Sequence, residues 1–520
     1  MTTDLEPVPG TSALSFLDRR HTVAPAGYNR WLIPPAALAV HLCIGQVYAT
    51  SVYKTSMVDH FDASLTSVGI IFSIAIVMLG LSAAVFGTWV EKQGPRKAMF
   101  VAACCWAAGF LIASAGIAGG QLWLVYLGYG VVGGIGLGIG YISPVSTLIK
   151  WFPDRPGLAT GMAIMGFGGG AMVASPLSRQ LLSAYDGSYD PSDPASIASG
   201  QSLTLLFVTL GIVYFVVMMV GVANVRVPPP GWAPEGFDPD QASDSELVTD
   251  QHVSAANAVK TPQFWFLWVV LFCNVTAGIG ILEQASPMVQ DFFREGDTST
   301  VTVAAAGGFV GILSLFNMAG RFVWSSTSDK IGRKPIYMLY LGGGIVLYTL
   351  LATLGETSTA LFVLLAAIIL SFYGGGFATV PAYLRDLFGV FQVGAIHGRL
   401  LTAWSAAGVA GPLIVNRVLD TQGEPGSLTS DDYRPALFTM VAVLAVGFVA
   451  NLLIRPVAER FHESEEAVEA AAPTVDPEDV PSDAAATGGS VRVLLSWGLV
   501  SALLAYGVIL TITTAAKLFG

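Results

Sequence analysis

The chain has 520 residues, of which 53% are hydrophobic and 12% charged, about half the ~25% charged share of a soluble globular protein. Its formal charge of −11 is confined to two segments: residues 226–260 hold six acids and two bases, residues 455–490 hold nine and two, and the remaining charges balance at 21 of each sign. A soluble fold and a nucleic-acid-binding surface, which needs a basic face, are both excluded.

A bilayer core about 30 Å thick takes roughly 20 apolar residues in a helix. Lipid offers backbone N–H and C=O groups no partners, so each such run has to be helical. Residues 1–30 are a polar tail with Arg19, Arg20 and Arg30, and they lack the apolar run and small-residue cleavage site of a secretory signal. Apolar spans follow at about 31–52, 64–86, 98–118, 122–147, 157–182 and 203–225, giving a six-helix half over 31–225. The acidic loop 226–262 separates it from a second half over 263–454, with spans at about 264–289, 301–325, 335–354, 360–384, 396–418 and 435–454. Residues 455–490 read as an acidic disordered linker to an extra span at 493–515, within the segment 491–520.

The bases cluster in alternate loops (Lys92/Arg96/Lys97, Lys150/Arg155, Lys330/Arg333/Lys334, Arg455/Arg460), whereas the opposite loops hold mostly single bases such as Lys54 and Arg294. The positive-inside rule therefore puts the N-terminus and the acidic loop in the cytoplasm, and Gly520 outside. Cys43, Cys104, Cys105 and Cys273 all sit in apolar runs and read as small core residues.

The halves repeat. Gly87, Glu91, Lys92 and Gly94 after the second span are matched 238 residues later by Ser325, Asp329, Lys330 and Gly332 after the eighth, and Arg96 and Lys97 are matched 237 residues later by Arg333 and Lys334. Pro144 and Pro381 recur at an offset of 237, Pro176 and Pro412 at 236. This loop reads as a gate in which Glu91 and Arg96 pair with helix ends across the two halves; the alternative is that its bases only fix topology.

Arg321 is the strongest chemical signal. It lies eight residues before Asp329, hence about 12 Å inside the bilayer, where a cation costs upward of ~2.5 kcal/mol and faces a partner or a wet cavity. Ser314, Asn317 and Arg321 form one helical stripe. The repeat equivalents of Asn317 and Arg321 are Leu79 and Ala83, so the scaffold itself does not require these polar groups. A guanidinium fork suits a carboxylate; the alternative is an ion pair with an acid such as Glu283.

Glu283, on a face with Thr276, Gly280 and Pro287, is either a proton carrier or simply solvated. His41 is a second proton-carrier candidate, or a hydrogen-bonded core histidine. It shares a face of the first span with Gly45 and Tyr48, opposite a second stripe of Gln46, Thr50 and Tyr53. Either stripe can line a cavity. Tyr48 and Gln46 are therefore both candidate contacts, with Tyr126 and Tyr373 as phenol donors from other spans.

Gly128, Gly130 and Gly133 match a dinucleotide fingerprint by spacing, but no strand precedes them. With Gly134, Gly138, Gly166 and Gly170 they read as close helix packing. Asn274-Val275-Thr276 is a sequon inside a span. His462-Glu463 lacks the second histidine of a metal motif, and no metal or cofactor is expected. Neither is an enzyme: no nucleophile–base pair lies in the spans.

Two six-helix halves with G-x3-[DE]-[RK]-x-G-x-[RK]-[RK] after the second helix resemble the major facilitator superfamily. Thr261-Pro262-Gln263-Phe264-Trp265, Tyr373-Gly374-Gly375-Gly376-Phe377-Ala378-Thr379 and Asn317-x3-Arg321 resemble the oxalate:formate antiporter family, which includes monocarboxylate transporters. The resemblance spans about residues 28–455, and the last helix resembles a small single-helix subunit of some such carriers, here fused. It implies an all-α integral membrane protein of two six-helix halves plus a thirteenth helix, working by alternating access in the plasma membrane as a monomeric unit. It also implies that the helix 8 arginine binds the substrate carboxylate. Oxalate-transporting members carry a second cation, a lysine after a Thr-Ala pair in helix 11. Here Thr402-Ala403 is followed by Trp404, either an apolar wall of the site or a packing residue. One cation implies a monocarboxylate such as lactate, pyruvate or formate, with proton symport expected and anion exchange or a transporter-like sensor as alternatives.

Overall fold

The computed structural model describes residues 15–25, 27–190, 196–229, 231–237, 247–295, 298–423, 428–471 and 489–515. Among the described residues, thirteen helices are long and apolar enough to cross a membrane. They are α1 (Arg30–Phe61), α2 (Leu65–Gln93), α3 (Pro95–Ala118), α4 (Leu122–Trp151), α5 (Pro156–Tyr185), α6 (Gly200–Asn224), α7 (Pro262–Phe292), α8 (Val303–Ile331), α9 (Arg333–Thr357), α10 (Thr359–Phe388), α11 (Val393–Leu419), α12 (Ser430–Leu453) and α13 (Gly489–Ala515). Among the described residues, strand pairing is limited to the two-residue hairpin Arg294–Glu295 with Thr298–Ser299 and one bridge, Val23 to Val227.

Helix ends follow local chemistry. Thr261 caps α7, accepting from the Phe264 N–H at 3.3 Å with Pro262 in the first turn, which gives the Thr261–Trp265 string a structural role. Thr429 and Asp432 form a capping box that starts α12 at Ser430, five residues before the expected span. The turns after α2 and α8 close on Gly94 (φ 84°) and Gly332 (φ 92°), two backbones in the region that glycine favours. They stand 238 residues apart, the period of the repeat. The first helix is longer than expected: past Gly45 it continues as a 3-10 segment to Tyr53 and then as α-helix to Phe61, so Lys54 is a helical residue and not a loop base.

Pro144, Pro176, Pro381 and Pro412 all lie inside helices. Within each half α3 packs on α6, and α9 on α12. Between the halves, α2 packs on α11 and α5 on α8 and α10. Close approach depends on missing side chains: a Cβ on Gly170 would stand 2.6 Å from Gly45 Cα, and one on Gly136 2.7 Å from the Trp106 nitrogen. Cys43 and Cys273 are buried and all four cysteines are free.

The last helix lies against the carrier body, on α5, α8 and α1. Trp497 donates to the Trp31 carbonyl at 2.9 Å, Gln180 donates to the Tyr506 hydroxyl at 3.0 Å, and Gly507 brings the backbone against Met172. In the acidic segment before it, Glu465–Ala471 form a short helix; residues 472–488, the tail before Ser15 and the end after Ala515 lie outside the described residues.

Candidate substrate-binding site

Arg321 is fully buried on α8, at the seam with α5. Its Nε donates to Asn317 Oδ1 one turn back at 3.1 Å, and Nη1 donates to the Ile164 carbonyl of α5 at 3.3 Å. Nη2 has no partner. Among the described residues no carboxylate is ion-paired with this guanidinium, so the alternative of a bridge to Glu283 is absent. Instead Arg321 lies 5.7 Å from the ring centre of Phe167 (α5) and 5.2 Å from that of Phe377 (α10). The negative faces of aromatic rings offset part of the charge but give Nη2 no acceptor.

Around it are more donors without acceptors. The Tyr48 hydroxyl (α1) stands against Arg321 and against the Tyr373 hydroxyl (α10), which neighbours Trp404 (α11). Among the described residues, Tyr48 Oη, Tyr373 Oη, Trp404 Nε1 and Tyr141 Oη (α4) are buried and make no hydrogen bond of good geometry. Trp404 packs on Phe377 at 4.9 Å, on Phe167 at 5.7 Å and on Tyr141 at 6.3 Å. Buried polar groups in native proteins are normally paired, and one left unpaired costs about 1–3 kcal/mol. A guanidinium with no carboxylate partner among the described residues, ringed by O–H and N–H groups, is chemically complementary to a small anion with several acceptor lone pairs, its apolar part against Phe and Trp.

The structure brings together five of the sequence candidates, Arg321, Asn317, Tyr48, Tyr373 and Trp404. Gln46 and Tyr126 stand apart. Gln46 donates to Tyr53 at 2.8 Å and accepts from Tyr129 at 2.9 Å, a closed network inside the first half; Tyr126 donates to the Ser67 carbonyl at 2.8 Å. Of the two stripes on the first helix, the one holding His41 and Tyr48 therefore faces the seam. His41 is fully buried, with Nδ1 2.6 Å from the Ala163 carbonyl and Nε2 3.1 Å from the Tyr141 carbonyl. Glu283 is exposed and receives a long 3.5 Å bond from Asn416, with Lys54 as its nearest cation. Sequence reasoning missed Tyr141, Phe167, Phe377 and His397. Their one available signal was position near Arg321 in the folded chain, which periodicity within one helix does not carry.

On the face that bears the paired bases the seam is shut by two matching locks. Asp329 accepts from the N–H groups of Gly157 and Leu158, both at 2.8 Å, at the start of α5 in the other half, while Arg333 holds it at 2.6 Å. Glu91 accepts from the Gly394 N–H of α11 at 3.0 Å and pairs with Lys150 at 2.7 Å. A carboxylate at a helix N-terminus is stabilising through the helix dipole and the free N–H groups. Arg333 also pairs with Asp386 at 3.0 Å. Lys92 lends its carbonyl, with that of Glu91, to Arg19, Arg96 donates to the carbonyls of Phe16, His21 and Val225, and Lys97 donates to Gln93. A Cβ on Gly87 would stand 2.9 Å from Ala395 Cα, so this glycine lets α2 and α11 touch. Asp329→Asn keeps an acceptor but removes the charge, weakening the closed state by about 1–2 kcal/mol. A thiol placed at buried Ser325, beneath this lock, should then react with a water-soluble maleimide about 5–30 times faster; unchanged labelling would mean that the lock does not hold the seam.

Comparison with known proteins agrees with this architecture. The family model described as Major Facilitator Superfamily matches residues 36–412 and 296–520. The oxalate:formate antiporter of Oxalobacter formigenes is 25% identical over 384 residues, covering 74% of this chain and 83% of its own. Apicoplast pyruvate carrier 1 of Toxoplasma gondii is 28% identical over 356 residues, covering 60% and 62%. Among solved structures, the fucose:proton symporter of E. coli superposes with a TM-score of 0.58 at 14% identity, over 82% of this chain and 99% of that one. The likeness to that structure concerns the fold.

Proposed function

Since the chain belongs to the major facilitator superfamily, we propose that it carries small monocarboxylates such as lactate, pyruvate or formate across the plasma membrane by alternating access. The observation that carries this reading is the buried Arg321 guanidinium, without a carboxylate partner and surrounded by unpaired donors. A bound carboxylate takes one oxygen to Arg321 Nη2 and the other to the Tyr48 and Tyr373 hydroxyls, with Phe167, Phe377 and Trp404 as the apolar wall. Tyr48 belongs to the first half, Arg321 and Tyr373 to the second, so the ligand ties the halves together; this differential contact is what biases a rocking equilibrium. One chain supplies both sides of the site, which supports the monomer as the working unit. The face with the two locks is cytoplasmic on the distribution of its bases, placing the N-terminus inside and the end of α13 outside.

The single cation supports a monoanion over a dianion: the position after Thr402-Ala403 holds Trp404, and no lysine lies in α11. Exchange of oxalate for formate is the second reading, favoured by the 25% identity to a protein with that activity. The test is uptake of labelled lactate into proteoliposomes, with oxalate as competitor. Lactate uptake indifferent to a large excess of oxalate supports the monocarboxylate reading, whereas oxalate–formate exchange without lactate uptake replaces it with the antiporter.

A further inference from the structure

The anion site leaves unused a second histidine buried in the seam. His397 lies in the first segment of α11, three residues after the Gly394 N–H that Glu91 holds, and is 2% exposed. Among the described residues neither of its ring nitrogens has a hydrogen-bond partner, in contrast to His41, whose two nitrogens both face carbonyl oxygens. The His397 ring lies 5.7 Å from that of Tyr141, and the Tyr141 ring stacks on His41 at 5.3 Å with an interplanar angle of 12°. Three rings thus join His41 of the first half to His397 of the second, and the middle one packs at 5.4 Å on Phe167 and 5.6 Å on Phe377, the two rings that flank Arg321.

We propose that His397, paired with His41 across Tyr141, carries a proton that crosses with the anion. This inference rests on the reading of Arg321 as the anion site. A hydronium ion on the open side gives its proton to an imidazole nitrogen and becomes water; after the halves rock, the imidazolium N–H returns the proton to a water molecule on the other side. One anion and one proton cross together, with no net charge moved.

Electrostatics links the two sites. With no anion bound, a proton on His41 faces the Arg321 cation, and His397 in turn faces His41; a bound carboxylate cancels the Arg321 charge, so each ligand favours the other, and by the same factor. Two cations without an ion pair among the described residues lie near this part of α11, Arg399 on α11 itself and Lys92 on α2, and the acids on the packed elements are already engaged. Glu91 of α2 is held by Lys150 of α4 and by Gly394 N–H, and Asp386 and Arg385 of α10 pair with each other and with Arg333. Tyr141 is a neutral phenol. His397 also lies between the anion site and the locks: α2 meets α11 beside it, through Gly87 on Ala395 and Gly398 on Ala83. Opening of that face wets His397 first, and an imidazole with no internal partner gains water contacts there.

The experiment uses full-length carrier in proteoliposomes with labelled lactate. Across an inward gradient of about one pH unit, one coupled proton per anion gives about tenfold accumulation. His397→Gln should abolish this accumulation while lactate still exchanges across the membrane without a gradient. Equal accumulation by His397→Gln and wild type would overturn the proposal. Because the variant can fail by misfolding, a second measurement needs only the native chain: adding lactate to purified carrier in weak buffer should withdraw about one proton per anion bound. Lactate binding without proton uptake would overturn the proton site and leave the anion site standing, whereas no binding of lactate, formate or oxalate would overturn both.

Discussion

Replacing Arg321 with glutamine should abolish lactate uptake and at the same time raise the melting temperature of the empty carrier. The two effects have one cause. In the empty state this buried cation has two neutral acceptors, no carboxylate partner among the described residues and an idle Nη2 amino group, and an unpaired buried charge costs several kcal/mol. Glutamine retains a polar head for Asn317 without the charge, so each kcal/mol relieved should appear as a rise of about 1 °C in a chain of 520 residues. In the loaded state the same cation makes charge-assisted bonds worth about 1.5–3 kcal/mol each to a carboxylate. Losing the one that Nη2 makes lowers lactate affinity by about ten- to a hundredfold. Arg321→Lys keeps the charge but loses the planar fork, and belongs between the two. The measurement is a thermal-shift series with and without lactate, read beside uptake. A melting temperature that falls in Arg321→Gln with lactate binding intact would make Arg321 a strut between α8 and α5, and the binding site would have to be sought elsewhere.

How much of this was legible in the sequence depends on the range of the interaction. Span count, repeat and turn positions are local or periodic, so Gly94 and Gly332 announce their turns and the stripe of Asn317 and Arg321 announces a polar face. The cost of a buried cation is also local, which is why Arg321 stood out. Its surroundings are not local. Phe167 and Phe377 are ordinary apolar residues within their own helices and become parts of a site only where α5, α8 and α10 meet. Gln46 shows the converse: a polar residue in an apolar span reads as functional, yet two tyrosines of its own half satisfy it completely. His397 sits near the start of its span, where a histidine looks interfacial; the close contact of α2 with α11 at Gly398 and Ala83 is what buries it.

Gly168 gives the sharpest separation of function from folding. It faces Arg321 from α5, and a Cβ added there would stand 2.8 Å from Nε and 3.1 Å from both Cδ and Cζ. The obstacle is the far end of a flexible side chain, so Gly168→Ala can be accommodated by moving the guanidinium while the helices stay in place. Replacing a helical glycine with alanine also favours the helix by about 0.5–1 kcal/mol. Gly168→Ala should therefore keep or slightly raise the melting temperature, yet lose transport about tenfold or more, because a displacement of about 1 Å is enough to spoil a forked contact. Gly320→Ala on α8 is the contrasting variant: its Cβ would fall on the Ser371 carbonyl of α10, a backbone atom that has nowhere to go, and overpacking of that kind costs about 1–3 kcal/mol. The expected pattern is lost transport with stability retained for Gly168→Ala, and lowered stability for Gly320→Ala. Normal lactate uptake by Gly168→Ala would mean that the position of the Arg321 guanidinium does not limit transport, which would remove the geometric basis of the proposed site.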